Sequence, residues 1–304
     1  FFFLFNMLGG EDETGIHKQI LLPMTPEYIG YSDVGLSDDL FYSYRPLIEK
    51  QDNHFFKYHV NFDDMNIREN TAAMCVSRPT NPTGNVLSDI EISRLLSLAE
   101  THDVPFIIDN AYGEPFPNII FTETNPIWNK NIIYCMSLSK VGLPGTRTGI
   151  VIADEPVINL IRNMNAVINL ATGNFGAMIT KDLISSGEIL RLSQFQIKPY
   201  YQAKVMHAVK IIHKELDGLE YYIHKPEGAI FLWLWLPELP ISSDELYERL
   251  KLRGVIVISG SHFFPGLVED WKHKHQCLRI TYSMNEKIVE KGIKLIAKEL
   301  KSIL

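Results

Sequence analysis

The chain has 304 residues, 46% of them hydrophobic and 21% charged, with 36 acidic against 29 basic side chains and a formal net charge of −7. That is enough apolar mass for two domains and a sizeable core, and it excludes a disordered or fibrous chain. The acidic balance argues against a nucleic-acid surface, and no apolar run is long enough to span a bilayer, so neither nucleic acid nor membrane is an expected partner.

The chain opens on the apolar run Phe1 to Leu8, too short and without the basic flank of a signal peptide or anchor. Gly9 to Gly15 reads as a polar surface loop, whose acidic centre would repel phosphate. Further on, Ala72 to Val76 has the pattern of a short buried strand and runs into Ser77-Arg78-Pro79-Thr80-Asn81-Pro82-Thr83-Gly84. Ser88 to His102 reads as a helix: Ser88 and Glu91 fit a capping box, and Ile92, Leu95, Leu96 and Ala99 follow at helical spacing. Val104 to Ile108 is a second strand, ending in Asp109-Asn110-Ala111-Tyr112-Gly113. Strand, helix and strand at this length predict a right-handed crossover in a parallel sheet. Asn131 to Met136 is a third strand, leading into Ser137-Leu138-Ser139-Lys140-Val141-Gly142-Leu143-Pro144-Gly145-Thr146-Arg147, and Thr148 to Ala153 a fourth.

From Pro156 to about Glu215 the apolar residues recur at helical spacing, with a break at Thr172-Gly173-Asn174. Ala229 to Leu236 and Gly254 to Ile258 read as strands and Ser242 to Arg253 as a helix. Gln276 to Tyr282 is another strand, and Glu286 to Leu304 a closing amphipathic helix. The expected organisation is an α/β large domain over 1–155, a parallel-rich sheet with helices on both faces. A helical connection over 156–215 and a smaller α+β domain over 216–304 complete it. Trp233 and Trp235 share one strand face and read as packing. Cys75, Cys135 and Cys277 fall in apolar runs far apart, as buried free thiols of a cytoplasmic protein would. His262, His273 and His275 lack partners at ligand spacing, so no metal is expected and a solvated loop is the reading there.

In open parallel sheets, ligands sit at the carboxyl ends of the strands, where Asn81, Asp109, Tyr112 and Lys140 would emerge. A lysine after a strand is most often a solvated charge, and Asp109 alone could be a turn or helix cap. Together they match the needs of pyridoxal phosphate. An amine forms a Schiff base with its aldehyde, a carboxylate keeps the pyridine nitrogen protonated, and hydroxyls with a guanidinium hold its phosphate.

Asn-Pro-Thr-Gly, then Asp-Asn-Ala-Tyr, then Ser-Leu-Ser-Lys with a trailing Pro-Gly-Thr-Arg resembles the class I/II aminotransferases of the aspartate aminotransferase fold. The likeness spans essentially the whole chain. It implies Lys140 as Schiff-base lysine and catalytic base, Asp109 on the pyridinium, and Asn81 and Tyr112 on the ring oxygen. It further implies Tyr28, in Pro26-Glu27-Tyr28-Ile29-Gly30-Tyr31, stacked on the ring, and Ser137, Ser139 and Arg147 on the phosphate. Arg279, in Cys277-Leu278-Arg279-Ile280-Thr281-Tyr282, is similar to the arginine that grips the substrate's α-carboxylate in these enzymes, and the likeness implies Asn81 and Arg279 as substrate-binding residues. Longer strings, including His224 to Trp235, narrow the likeness to members that move the amino group of L-valine to pyruvate. The implied products are 3-methyl-2-oxobutanoate and L-alanine, made in two ping-pong half-reactions by a homodimer. Other reactions on the same scaffold share these motifs, such as alanine transamination or β-elimination from cysteine-type substrates. So does a cofactor-binding regulatory domain fused to a DNA-binding module. The Gly/Ser-rich phosphate turn that precedes the first helix in relatives is missing, so the likeness reads this chain as N-terminally truncated.

Overall fold

The fold is described from a computed structural model, covering residues 1–37 and 39–304. Helix α1 (Phe2–Leu8) leads into strands β1 (Gly10–Glu11) and β2 (His17–Leu22), followed by β3 (Phe41–Ser43). The hairpin β4 (Leu47–Gln51) and β5 (Phe55–His59) comes next. Then β6 (Thr71–Ser77), α2 (Asp89–Thr101) and β7 (Phe106–Asp109) form the expected crossover, with β6 and β7 parallel. Ser88 caps α2 in a complete capping box with Glu91, so the helix begins where its first free amides find side-chain partners. Strands β8 (Ile132–Ser137) and β9 (Gly149–Ile152) close a seven-stranded sheet ordered β1-β2-β6-β7-β8-β9, with β3 also on β2. Its central strands are buried on both faces, which is why they read as continuous apolar runs.

Helices α3 (Glu155–Asn169), α4 (Phe175–Ser185), α5 (Glu188–Leu192) and α6 (Lys198–Glu215) follow, with the expected interruption at 172–174. The remaining elements are β10 (Tyr222–His224), β11 (Phe231–Trp235), α7 (Ser243–Leu252), β12 (Ile258–Ser259), β13 (Cys277–Thr281) and α8 (Glu286–Ile303). They build a second sheet ordered β12-β13-β11-β10-β5-β4. Residues 47–59 therefore lie in the interval expected for the first domain, yet their ladder runs to β10 of the second sheet. One apolar cluster joins the two sheets: Met74, Val76, Phe106 and Ile108 pack with Phe56, Tyr58 and Trp233. A second cluster seals α6, α7 and α8 onto the other face of the second sheet.

Two expectations need correction. Residues 254–257 are not a strand. Gly254 (φ +78°) and Val255 donate to the carbonyls of Lys251 and Leu250, so their amides finish α7, and only Ile258 and Ser259 join the ladder. His273 is not solvated: it is buried, stacked on Trp271 at 4.5 Å and edge-on to Trp235 at 4.7 Å, with its ring nitrogen against the Tyr58 hydroxyl. Its apolar surroundings push the imidazole down to about 3, holding it neutral. The three cysteines are free and buried, and no cluster of metal-binding side chains occurs among the described residues. No helix is long and apolar enough to cross a membrane among the described residues.

Candidate active site

Three parallel strands end side by side, and their register sets the floor of a cavity of about 540 Å³. Asp109, the last residue of β7, stands opposite Ser77 of β6 and Cys135 of β8. Its carboxyl is buried and accepts hydrogen bonds from the Tyr31 hydroxyl at 2.9 Å and the Ala111 amide at 3.1 Å. Burial pushes this carboxyl up, while the two donors and the positive charge of Lys140 oppose the shift. No cationic side chain of the described residues makes an ion pair with it, so the floor holds a carboxylate in need of a positive partner.

Lys140 lies in a turn directly after β8. The turn is set by the Ser137 hydroxyl, which accepts the Ser139 amide at 3.1 Å and donates to the Ser139 hydroxyl at 3.0 Å. The Lys140 ammonium stands 5.3 Å from the Tyr112 ring centre. Burial lowers its affinity for the proton, the charges of Arg279 and Arg147 add to that, and Asp109 opposes them. Arg147 follows the short Pro144–Thr146 turn with a left-handed backbone (φ +48°), and its guanidinium touches the Pro144 carbonyl at 3.3 Å.

Arg279 reaches the same cavity from the second sheet, next to Trp233 across the ladder. It donates to the Asn81 side-chain oxygen at 2.8 Å and lies over the rings of Phe231 (4.2 Å) and Phe263 (5.2 Å). Stacking of this kind holds a guanidinium flat without neutralising it. Tyr112 is buried edge-on to Phe231 at 6.1 Å, and burial together with the charge of Asp109 pushes its hydroxyl up. Tyr28 is 39% exposed and meets Tyr31 edge-on at 5.5 Å. Every residue singled out in the sequence for cofactor or substrate thus lines this one cavity: Tyr28, Asn81, Asp109 and Tyr112 with Ser137, Ser139, Lys140, Arg147 and Arg279. A groove of about 640 Å³ near α6 has no such convergence. Its His213 and His54 are spent on Tyr221, through a 2.7 Å hydrogen bond and a 4.4 Å stack.

Sequence reading missed the supports of the cavity. Tyr31 and Glu27 sit in the same motif as Tyr28 but read there as neighbours of an aromatic. The Asn81 loop is braced on the second sheet by a buried ion pair. Lys57 of β5 bonds Glu227, the Asn85 side chain (3.0 Å) and the Val86 carbonyl (3.0 Å), while Glu227 accepts the Val86 amide at 3.1 Å. At Gly84 (φ +72°) an added Cβ would meet the Gly228 carbonyl oxygen at 2.6 Å, so the loop seats backbone on backbone. A lysine in a strand and a glutamate in a turn 170 positions apart carry no sequence signal of pairing.

The pattern of aminotransferase class I and II matches residues 40–296, and the chain belongs to that family. Its fold is that of aspartate aminotransferase. A Thermus thermophilus aspartate aminotransferase superposes with a TM-score of 0.78 at 18% identity, over 98% of this chain and 72% of that one. Among members of the family, the chain is 51% identical to the valine–pyruvate aminotransferase of Escherichia coli (strain K12), over 99% of this chain and 72% of that protein. The crystal structure of valine-pyruvate aminotransferase AvtA from Salmonella typhimurium LT2 gives a TM-score of 0.93 at 50% identity, covering 99% of this chain and 76% of that chain.

Proposed function

We propose that the chain is a pyridoxal-phosphate-dependent aminotransferase that converts L-valine and pyruvate to 3-methyl-2-oxobutanoate and L-alanine. The observation that carries this reading is the convergence of Lys140, Asp109, Asn81, Tyr112, Arg147 and Arg279, from two sheets, on one cavity. The donor set fits the cofactor: an amine, a carboxylate without a cation, two groups for a ring oxygen, and hydroxyls beside a guanidinium for a phosphate. When bound, pyridoxal phosphate supplies the electron sink that tolerates negative charge at the substrate's α-carbon.

The chain's residues do the rest. Asp109 holds the ring nitrogen protonated, because a buried carboxylate is stabilised by an adjacent cation. Asn81 and Tyr112 would hold the ring oxygen, Tyr28 the ring, and Ser137, Ser139 and Arg147 the phosphate. Lys140 anchors the cofactor, and its Nζ moves the proton at the substrate's α-carbon. Burial and the neighbouring guanidiniums lower the proton affinity of that amine, the direction both tasks need. Arg279 binds the α-carboxylate through two parallel hydrogen bonds, held in place by Phe231, Phe263 and Asn81. The cationic side chains lining the cavity are Lys140, Arg147 and Arg279, all given roles above, and no further lysine or arginine lines it among the described residues. That supports a monocarboxylic substrate with an apolar side chain.

A cytoplasmic homodimer belongs to this reading. Three buried free thiols support the compartment. Exposed Val167, Leu170, Phe175 and Met178, on and between α3 and α4, support burial of that face by a second copy. Sedimentation of the protein at micromolar concentration should give twice the chain mass; a monomer would remove the dimer from the account. The reaction itself is tested by following L-alanine formation from L-valine and pyruvate with added cofactor. Absence of cofactor-dependent alanine would overturn the assignment.

A further inference from the structure

Glu27 has no part in the roles given above, yet it borders the cavity floor. It is 2% exposed. One carboxyl oxygen accepts the Ser77 amide at 2.9 Å; the other shares a short hydrogen bond with the Ser77 hydroxyl and accepts the Tyr28 amide at 3.2 Å. Ser77 lines the cavity and is the register partner of Asp109. The titratable groups that face Glu27 are Asp109 from β7, Cys75 from β6 and Tyr31 from its own turn. The 260–263 turn meets it through the Phe263 carbonyl, which accepts the Glu27 amide at 2.8 Å, while His262 of that turn is directed at Asp244. None of the facing groups is a cation.

Two carboxyls in one buried region without an ion-pair partner cannot both ionise at modest cost. Asp109 has the better claim to the charge, because Lys140 faces it across the cavity, whereas Glu27, although three donors reach its carboxyl, faces no cation. Glu27 can place its own proton on the bond to the Ser77 hydroxyl. We propose that Glu27 is a positioning residue held as a neutral acid, so that Asp109 alone carries negative charge at the cavity floor and presents it to the cofactor ring. Its effect on the ring rests on the role given to Asp109 above; its charge state stands on the protein alone. Burial, with the charge of Asp109 adding to it and the Ser77 and Tyr28 donors opposing, pushes Glu27 up to about 8.

The test compares the melting temperature of cofactor-free wild type and Glu27→Gln as a function of pH. A carboxyl whose folded pKa is raised stabilises fully below its ordinary value, near 4.5, and loses that contribution as pH climbs to about 8. The wild-type melting temperature should therefore fall relative to Glu27→Gln by several degrees across that window, because histidine and other carboxylate contributions cancel in the difference. A flat difference, or one that rises with pH, would overturn the proposal. Should Glu27→Gln not fold, infrared titration of the wild type and Asp109→Asn decides: a protonated-carboxyl band must persist to about pH 6.5 in both, well above ordinary carboxyl titration, and its absence from either is contrary. A second readout is pyridoxal phosphate affinity, which should weaken at alkaline pH more steeply in wild type than in Glu27→Gln. If the stability signature appears but no cofactor binds, the charge state of Glu27 stands and the cofactor reading fails.

Discussion

At Lys140, burial and two neighbouring guanidiniums act on the ammonium in one direction and a single carboxylate in the other. That balance loosens the ammonium's hold on its proton, the direction the proposed role as a base needs. Lys140→Ala should lower turnover by about 10²–10⁴-fold or more, the usual worth of a positioned proton-transfer group, and abolish the visible absorbance of the bound cofactor. Equal turnover in wild type and variant would deny Lys140 its role. Arg279 is a different kind of site, where geometry outweighs charge. Arg279→Lys keeps the cation but loses the planar fork and the stack on Phe231 and Phe263. A lost charge-assisted hydrogen bond of about 1.5–3 kcal/mol predicts a KM for L-valine and pyruvate raised roughly 10–100-fold. A kcat loss at unchanged KM would place the arginine elsewhere in the cycle. Lys140 was legible in the sequence because it follows a recognisable strand, whereas Arg279, inside β13, was legible through the likeness of Cys277 to Tyr282 to the family's carboxylate-binding segment. Glu27 and Tyr31 were not, because their meaning comes from Ser77 and Asp109, far away in the chain and adjacent only through strand register.

Elements deliver those residues, and their own ends are specified locally. The capping box on α2 was readable because Ser88 and Glu91 satisfy amides three residues apart. Ser88→Ala should cost about 1 kcal/mol and lower the melting temperature by about 2–4 °C, as measured by thermal unfolding; no change would mean that the loop from Pro79 to Leu87 sets the helix start instead. The hairpin of β4 and β5 escaped sequence reading, since its burial pattern is mixed and its partner, β10, is distant in the chain. Lys57 on that hairpin anchors the Asn81 loop through Glu227, Asn85 and Val86. Lys57→Met removes the buried cation and leaves Glu227 only the half-exposed Lys225 at 3.6 Å, a change that costs up to about 3–5 kcal/mol. It should also weaken substrate binding, because Asn81 and Arg279 meet across that brace. Unaltered stability would show the ion pair to be dispensable. The strand expected at 254–257 failed for a local reason: a glycine after α7 commits the next amides to the helix end.

For the molecule as a whole, the two sheets are locked by one apolar core, and the cavity opens where residues of both converge. That arrangement makes stability depend on pH from both sides. His224 and His273 are held neutral by burial, so the unfolded chain takes up protons that the folded one does not as pH falls below about 6.5. Glu91, which desolvation opposes but His59 and Ser88 stabilise as an anion, is drawn down to about 2 and loses its contribution below about 4.5. Between pH 6.5 and 4.5 the histidines and Glu27 act in opposite directions, so melting temperature should drop most clearly as pH is lowered from about 4.5 toward 3. His273→Phe should flatten part of that slope; a parallel curve would show that His273 is protonated in the fold. The central claim concerns the reaction, and one measurement bears on it most directly. Wild type and Lys140→Ala are incubated with pyridoxal phosphate, L-valine and pyruvate, and both products are quantified. Equal amounts of L-alanine and 3-methyl-2-oxobutanoate from wild type and neither from Lys140→Ala is the predicted result. Products formed independently of Lys140, or none from a wild type shown to hold the cofactor, would contradict the account.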